Sequence, residues 1–396
     1  MLSLRQLPAT ILILALPVAL MASASGGWAN PDNLPVSGEQ LVGKGKFVNL
    51  GPDSDPLPPV WAATWLVANA DTGEIYAAKG PHIQRAPAST LKTLTALTLM
   101  PQLDLTTEVT AKKKATNTYG SVVGLKRGKS YSIEDLYYAL LLPSANDAAI
   151  ALAQANGGVR KTVNQMNSIA RSLGALNTVA KNTSGLDSPG QLSTAYDLAL
   201  IGRQAMKIED FSQIVQTRKY SFPFKKRTRE IYNSNQLVTG GYKGALGVKT
   251  GFTTNAGRTF IGAAERKNVT LIVVAMGIKE SSASAARKLM DWAFANKDTV
   301  TPVGTLVTTE PKPATAGQNF VARSTNTADA DTEFTPNQTS TAGPSTGATS
   351  LDALAVGWIA LFIAIGTFLV VSARSAIIRR RNRSRLARSG RVKLES

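Results

Sequence analysis

Hydrophobic and polar positions alternate along residues 61–297 in a way that predicts both strands and helices. Two short apolar runs, residues 64–70 and 74–79, flank the turn sequence Asp71-Thr72-Gly73 and predict a β-hairpin. A second hairpin is predicted for residues 258–265 and 269–276, and a last helix for residues 284–294. Between the hairpins, apolar residues recur at helical spacing in residues 89–100, 135–142, 147–155, 163–173 and 195–206.

The order of these elements predicts an α+β domain over residues 60–300. A hairpin at each end with helices between them indicates one antiparallel sheet, completed by both ends of the segment and covered by helices. Residues 25–59 are rich in Gly, Pro and Asp and have no clear periodicity, so we interpret them as a loose lead-in.

Both ends of the chain carry patterns typical of an exported membrane protein. Residues 1–24 combine Arg5, an apolar stretch and a final Ala-Ser-Ala, which is typical of a secretory signal peptide. Residues 353–373 are apolar and uncharged, and about 20 such residues form a transmembrane helix. The arginine-rich residues 374–396 follow at once, and positive charge beside a span marks the cytoplasmic side. We therefore expect a single-pass plasma-membrane protein with an extracellular folded domain and a cytoplasmic tail.

Residues 310–350 contain mainly Pro, Thr, Ser, Ala and Asn, and we interpret them as a disordered stalk. Within them, Gly343-Pro344-Ser345-Thr346-Gly347 is similar to a sortase signal, but glycine replaces the expected leucine. We expect a retained membrane helix, with sortase processing as the alternative.

The net charge of +18 does not indicate a nucleic-acid-binding protein. Nine Lys and Arg against one Glu lie after residue 373, and these positive charges act as a signal that orients the membrane span. The runs at residues 112–114 and 225–227 would attract an anionic polymer, or are solvated surface. The absence of cysteine excludes a disulfide framework.

The first candidate for chemistry is Ser89, three residues before Lys92. In a helix these positions are neighbours, with Cβ atoms about 5 to 6 Å apart, so the lysine amine can reach the hydroxyl. The amine can act as a base only if burial and a second cation lower its pKa. The only histidine, His82, is expected on a solvated polar loop with no serine motif, which argues against a Ser-His-Asp hydrolase.

Two further motifs strengthen the first. Ser144-Ala145-Asn146 lies at a break between two predicted helices, where it could face a cleft or simply cap a helix. Lys249-Thr250-Gly251 precedes a strand-like segment and is expected on an edge strand, as the opposite wall of the cleft, or in an ordinary turn. Each motif alone is weak evidence, but the three in this order, each at an element boundary, indicate one active site.

These motifs resemble those of the serine-type penicillin-binding proteins, which carry S-x-x-K, S-D-N and K-T-G. Over residues 61–296 the chain is similar to the low-molecular-mass D-alanyl-D-alanine carboxypeptidases, with phrases such as D-T-G-E-I-Y-A-A-K and G-V-K-T-G-F-T-T-N-A-G-R. The resemblance implies a β-lactamase/transpeptidase-like fold, with an antiparallel sheet flanked by helices and a mostly helical subdomain. It implies peptidoglycan stem peptides ending in D-Ala-D-Ala as substrate, β-lactams as covalent inhibitors, and no cofactor or metal.

The resemblance also implies a role for each motif residue. Ser89 is the nucleophile acylated by the substrate, Lys92 takes its proton, and Ser144 relays the proton to the leaving amine. The substrate-binding residues are Asn146, Lys249, Thr250, Gly251 and Phe252. The backbone amides of Ser89 and Phe252 stabilise the oxyanion. Relatives often use an additional arginine for the substrate carboxylate, and here Arg258 or Arg287 is the candidate.

A β-lactamase and a non-enzymatic penicillin-binding sensor are the two alternatives to a carboxypeptidase. A β-lactamase of this type needs a glutamate between the second and third motifs to activate water. No glutamate occurs at residues 144–208, and Glu209 and Glu230 lack the expected asparagine partner. A non-enzymatic penicillin-binding sensor would need an output domain, and the short basic tail cannot fold into one.

Overall fold

The computed structural model describes residues 41–224 and 227–306. In chain order the strands are β1 Lys46–Val48, β2 Thr64–Asn69, β3 Glu74–Lys79, β4 Glu108–Thr110, β5 Ser130–Ser132, β6 Lys219–Phe224, β7 Arg227–Tyr232, β8 Ala245–Thr253, β9 Gly257–Arg266, β10 Val269–Ile278 and β11 Gly304–Thr305. The α-helices are α1 Lys92–Leu99, α2 Lys113–Thr116, α3 Ile133–Leu141, α4 Asn146–Ala155, α5 Val159–Ser172, α6 Ala195–Ala205, α7 Glu209–Gln216, α8 Gln236–Thr239 and α9 Ser282–Asn296.

The main sheet is antiparallel and has the order β1-β3-β2-β10-β9-β8, with β11 also pairing with β3. The two predicted hairpins form its centre, because β10 pairs with β2 as well as with β9. The sheet is therefore completed from both ends of the domain, as the sequence predicts. Strand β8 is an edge strand and carries the third motif.

Both faces of the sheet are buried. Along β10, Ile272 and Val274 belong to the hydrophobic core shared with α1 and α6. Their neighbours Leu271 and Val273 belong to a second core shared with α9. Successive side chains of a strand point to opposite faces, so an uninterrupted apolar strand fits a sheet covered by helices on both sides. This layering confirms the predicted α+β architecture.

The remaining helices and two short hairpins form a mostly helical part of the domain. Strand β4 pairs with β5, and β6 pairs with β7. All eight residues of α1 are buried, so this helix joins the helical part to the sheet. The sequence pattern does not predict these four strands, because their exposed positions give no clean apolar alternation.

Residues 41–59 differ from the predicted loose lead-in. Leu41 is fully buried, and β1 pairs with β3. Asn296 and Trp292 of α9 bind the two backbone groups of Asp55, at 2.6 and 2.9 Å. The segment lacks periodicity because it is held by backbone pairing and single anchors. At the other end the domain extends past residue 300 to β11.

His82 is not on a solvated loop, which corrects that expectation. Its ring lies 4.6 Å from the ring of Tyr196, the second residue of α6. Burial lowers its pKa to about 4. The Tyr196 amide donates to Pro81 O at 3.0 Å, which holds the His82 loop against this helix.

Within residues 41–224 and 227–306, no helix combines the length and the apolar character needed to cross a bilayer. The predicted signal peptide at 1–24, stalk at 310–350, membrane helix at 353–373 and tail at 374–396 lie outside the described residues.

Candidate active site

Ser89 lies in a single 3-10 turn, Ala88–Leu91, that leads into α1. The predicted helix over residues 89–100 is thus a 3-10 turn followed by an α-helix that begins at Lys92. Two hydroxyls fix the turn by donating to Pro87 O: Thr90 Oγ1 at 2.6 Å and Thr259 Oγ1, from β9, at 2.8 Å. The nucleophile candidate is therefore held at the junction of the helix and the sheet.

The Lys92 amine lies within hydrogen-bonding distance of three oxygens. Its Nζ is 3.0 Å from Ser89 Oγ, 2.7 Å from Asn146 Oδ1 and 2.5 Å from Ser184 O. The side chain is fully buried. Burial lowers the pKa of Lys92 well below its usual value, the positive charge of Lys249 lowers it further, and Asp147 acts in the opposite direction.

These three contacts define what a neutral Lys92 can do. Asn146 Oδ1 and Ser184 O can only accept hydrogen bonds, so they take both protons of a neutral amine. The nitrogen lone pair is then left for the third neighbour, the Ser89 hydroxyl. A charged ammonium would instead donate to Ser89 and could not accept its proton. The arrangement therefore makes a neutral Lys92 a base directed at Ser89.

Ser144 and Asn146 face the site and do not cap a helix. The N-terminus of α4 has no side-chain cap, so the capping alternative is wrong. Asn146 Nδ2 donates to Tyr119 O at 2.7 Å, which turns its Oδ1 toward Lys92. Ser144 has a left-handed φ of 66°, and its buried hydroxyl has no hydrogen-bond partner among the described residues. A free hydroxyl beside the cleft is available to pass on a proton.

Strand β8 forms the opposite wall, as predicted for an edge strand. Lys249 is almost completely buried, and its Nζ donates to Thr250 O at 2.9 Å. Burial lowers the pKa of Lys249 to about 7. Thr250 Oγ1 is 2.8 Å from Ser234 Oγ, and Ser234 in turn donates to Leu142 O at 3.0 Å, so Thr250 is the donor of this pair.

Gly251 allows β8 to approach the Ser89 turn. A methyl group at Gly251 would collide with Thr259 Oγ1 and lie only 2.8 Å from Ser89 N and 3.0 Å from Thr90 N. The glycine therefore admits the backbone of the Ser89 turn next to β8.

Ser89, Ser144 and β8 enclose a cleft of about 450 Å³. The described residues that line it are Ser89, Ser121, Pro143, Ser144, Ser234, Gln236, Thr250, Gly251, Phe252, Arg258, Phe260, Ser281, Ser282 and Ala283. Lys92, Asn146 and Lys249 are not among these lining residues. Phe252, the last predicted site residue, is 64% exposed and presents an apolar surface at the mouth.

The lining also bears on the open alternatives. Of the two candidate arginines, Arg258 lines the cleft and Arg287 does not. The lining contains no carboxylate of the kind a β-lactamase uses. Glu209 is exposed at the start of α7, and Glu230 forms an ion pair with Lys219 at 2.9 Å. Within the described residues, no cluster of three His, Asp or Glu side chains could hold a metal ion.

Sequence reasoning missed three groups of the site: the Ser184 carbonyl, the Ser234 hydroxyl and the Asp147 carboxylate. The sequence N-T-S-G around Ser184 could have indicated a turn, because it is suited to form an Asx turn. In the structure Asn182 Oδ1 accepts hydrogen bonds from Ser184 N at 3.1 Å and from Gly185 N at 2.8 Å.

Asp147 had no such signal. Its carboxylate accepts from the backbone amides of Val123, Gly124 and Leu125 at 2.8 to 3.1 Å, so it holds a distant loop over the site.

Residues 53–280 match the model of the peptidase S11 family, the D-alanyl-D-alanine carboxypeptidases. The chain is 40% identical over 249 residues to D-alanyl-D-alanine carboxypeptidase DacB2 of Mycobacterium tuberculosis, covering 61% of this chain and 85% of that protein.

Solved structures show the same fold. The crystal structure of D-alanyl-D-alanine carboxypeptidase from Mycobacterium tuberculosis superposes with a TM-score of 0.62 at 39% identity, covering 65% of this chain and 99% of that one. The Streptomyces K15 DD-transpeptidase gives a TM-score of 0.59 at 30% identity, covering 61% and 100%. With its three motifs assembled around one cleft, the chain belongs to the peptidase S11 family and is a serine-type D-alanyl-D-alanine carboxypeptidase.

Proposed function

We propose that Ser89 is the nucleophile of this carboxypeptidase and that Lys92 is its base. The chain then removes the terminal D-alanine of peptidoglycan stem peptides and so limits cell-wall cross-linking. The observation that carries the assignment is the set of contacts of Lys92 Nζ, which reserve its lone pair for Ser89 Oγ. β-Lactams would acylate the same hydroxyl.

In the acylation step, Ser89 Oγ attacks the carbonyl carbon of the penultimate D-alanine while its proton passes to Lys92 Nζ. The C–N bond then breaks, and the proton reaches the leaving amine through the Ser144 hydroxyl, which has no partner among the described residues. Water completes the cycle by attacking the Ser89 ester, returning the proton to Ser89 and releasing the shortened peptide.

The other site residues bind and polarise the substrate. The amides of Ser89 and Phe252 stabilise the oxyanion, and Gly251 sets their separation by admitting the Ser89 turn next to β8. Thr250 and Arg258 bind the terminal carboxylate of the substrate, and Lys249 lies behind them. Asn146 has two roles, since it positions Lys92 and also holds the peptide. The free edge of β8 offers backbone groups to an extended peptide.

The experiment is to incubate the full-length protein with a labelled penicillin and to map the modified residue. We expect the label on Ser89, and expect Ser89→Ala to abolish both labelling and D-alanine release. Ser121→Ala is the matched control, because Ser121 also lines the cleft but lies outside the assigned machinery. A label that persists in Ser89→Ala, or maps to Ser144, contradicts the assignment.

A second experiment tests Arg258 against Arg287. A hydrogen bond to a charged group contributes about 1.5–3 kcal/mol, so Arg258→Gln should raise KM for a D-Ala-D-Ala peptide by roughly tenfold or more. Arg287→Gln should leave KM unchanged, because Arg287 does not line the cleft. For a peptide with an amidated C-terminus the Arg258 variant should show no added loss. An equal loss on both peptides would remove Arg258 from carboxylate binding.

We also propose that the enzyme is anchored on the outer face of the plasma membrane, which rests on the sequence patterns alone. As a flexible coil, residues 310–350 would hold the domain roughly 30 to 40 Å from the bilayer, near newly inserted peptidoglycan. Deletion of the residues after Ser350 should release active enzyme into the medium. Full-length enzyme covalently joined to the wall and cleaved near Thr346 would support the sortase alternative instead.

A further inference from the structure

Basic residues that are distant in the chain meet on one side of the cleft. Residues 109–133 contain six Lys and Arg and no Asp or Glu. These six are Lys112, Lys113, Lys114, Lys126, Arg127 and Lys129. They form two runs, one before and one after the loop that covers the active site.

Backbone hydrogen bonds join the two runs. Ala111 N donates to Lys129 O and Gly128 N donates to Ala111 O, both at 3.0 Å, at the end of the β4–β5 hairpin. The run at 112–114 therefore starts beside the run at 126–129. The two sets of positive charge share one end of this hairpin.

A third basic segment, the β6–β7 hairpin, packs against the same region. Phe222 of β6 stacks on Tyr131 of β5, with ring centroids 5.7 Å apart. Arg229 Nη2 donates to Val123 O at 2.8 Å. Arg227 of β7 is exposed and pairs with Phe224, whose ring lies 4.0 Å from a methyl group built at Gly124, so Arg227 lies near the loop between the two runs. We call Lys112, Lys113, Lys114, Lys126, Arg127 and Arg227 the basic rim.

The charges of the basic rim are exposed and uncompensated. All six side chains are exposed, and none forms an ion pair within the part of the chain that the structure describes. The nearby Glu230 is already paired with Lys219 at 2.9 Å. Like charges gathered without counter-ions repel one another, so a bound polyanion would lower their free energy.

The basic rim adjoins the cleft through the loop between its two lysine runs. Asn146 N donates to Ser121 O at 2.7 Å, and Ser121 itself lines the cleft. Asp147 holds the next residues of this loop by their amides. An occupant of the basic rim would therefore lie alongside a peptide bound at Ser89.

We propose that the basic rim binds a linear phosphodiester polymer that runs past the cleft, so that the enzyme is retained where such polymers accompany its substrate. The six charges lie on separate exposed segments and do not converge on a buried pocket, which excludes tight binding of a single small anion. A polymer instead gains from many weak contacts and from the release of its counter-ions. Binding is independent of catalysis at Ser89, and only its benefit to the reaction rests on the proposed function.

The test uses full-length protein and poly(glycerol phosphate) as the probe, with glycerol 3-phosphate as the monomeric comparison. The variant replaces Lys112, Lys126 and Arg127 by Gln. The matched control replaces Lys161, Lys243 and Lys267 by Gln, which removes the same charge from other exposed positions. Every protein carries the same basic residues after 373, so only the difference between the two variants is informative.

For a single-stranded polyanion, log K changes with log salt by about 0.7 per neutralised charge, so losing three rim charges should reduce this slope by about 2. We expect the rim variant to bind the polymer at least tenfold more weakly than the control variant, with neither protein binding the monomer. Penicillin acylation and D-alanine release from a small peptide should be equal in both. This separates failure of the proposal from failure of the assignment of Ser89.

Two results would overturn the proposal. One is an equal loss of polymer binding in the rim and control variants, which would mean that only overall charge matters. The other is that vesicles containing phosphatidylglycerol compete fully with the polymer for the basic rim, which would make the occupant a membrane surface. Retention of polymer binding in the presence of those vesicles supports the polymer as the occupant of the basic rim.

Discussion

Replacing Gly251 by Ala should impair acylation by adding a single methyl group. The added carbon would lie 2.8 Å from Ser89 N, about 0.6 Å short of the 3.4 Å at which ordinary contact begins, and would also collide with Thr259 Oγ1. Thr259 cannot turn away freely, because it is buried and donates to Pro87 O at 2.8 Å. Rotating Thr259 would break that bond at a cost of about 0.5–1.5 kcal/mol and would leave the contacts with Ser89 N and Thr90 N unrelieved, so the main relief must come from separating β8 and the Ser89 turn.

The separation moves apart the two amides that we propose stabilise the oxyanion, since one belongs to the Ser89 turn and the other to Phe252 of β8. A displacement of about 1 Å costs roughly a hundredfold in rate, so a shift of half that size or more should slow acylation by about tenfold to a hundredfold. Overpacking of a buried site should also destabilise the fold by about 1–3 kcal/mol.

The assay is the rate of acylation by a labelled penicillin, measured beside thermal unfolding on the same preparations. Gly45→Ala is the control, because no atom lies within 4 Å of a methyl group built there. We expect the control to match the wild type in both measurements. Acylation of Gly251→Ala within about threefold of the control would refute the argument that this glycine sets the separation of the amides.

Three further predictions concern charge. Lys249→Met should raise the pKa of Lys92, because the second-largest cause of its lowered value is removed, and should move the acid limb of the acylation–pH profile to higher pH. An acid limb that stays at the same pH would argue against electrostatic coupling between Lys249 and Lys92. Asp147→Ala should free the covering loop and raise KM for peptides, and unchanged KM with unchanged proteolysis of residues 119–125 would contradict this role. Burial lowers the pKa of His82 to about 4, so the free energy of unfolding decreases by roughly 3 kcal/mol as pH falls from 6.5 to 4. Burial raises the pKa of Asp197 to about 6, so protonation of this carboxyl group increases the free energy of unfolding by a similar amount over nearly the same pH range. His82→Phe should therefore become more stable and Asp197→Asn less stable on acidification relative to the wild type, as denaturant midpoints at pH 6.5 and 4 would show.

The sequence alone determined the two central hairpins of the main sheet and the three motifs. Long strands such as β9 and β10 are visible in the sequence, because burial on both faces leaves only apolar residues in their centres, at residues 260–264 and 271–276. The spacing of Ser89 and Lys92 also sufficed to bring their side chains together, since that contact is local to one turn. The order of the motifs then indicated a single cleft.

Tertiary structure decided which partners complete the site. Ser184 O reaches Lys92 Nζ across 92 residues of sequence, and a backbone carbonyl has no residue type by which a sequence could indicate it. The burial of His82 depends on where α6 begins, and β1 exists only because β3 offers it a free edge. Such contacts join elements that are distant in the chain, so local patterns carry no record of them. The same holds for the basic rim, whose charges are visible in the sequence but are gathered on one surface only by folding.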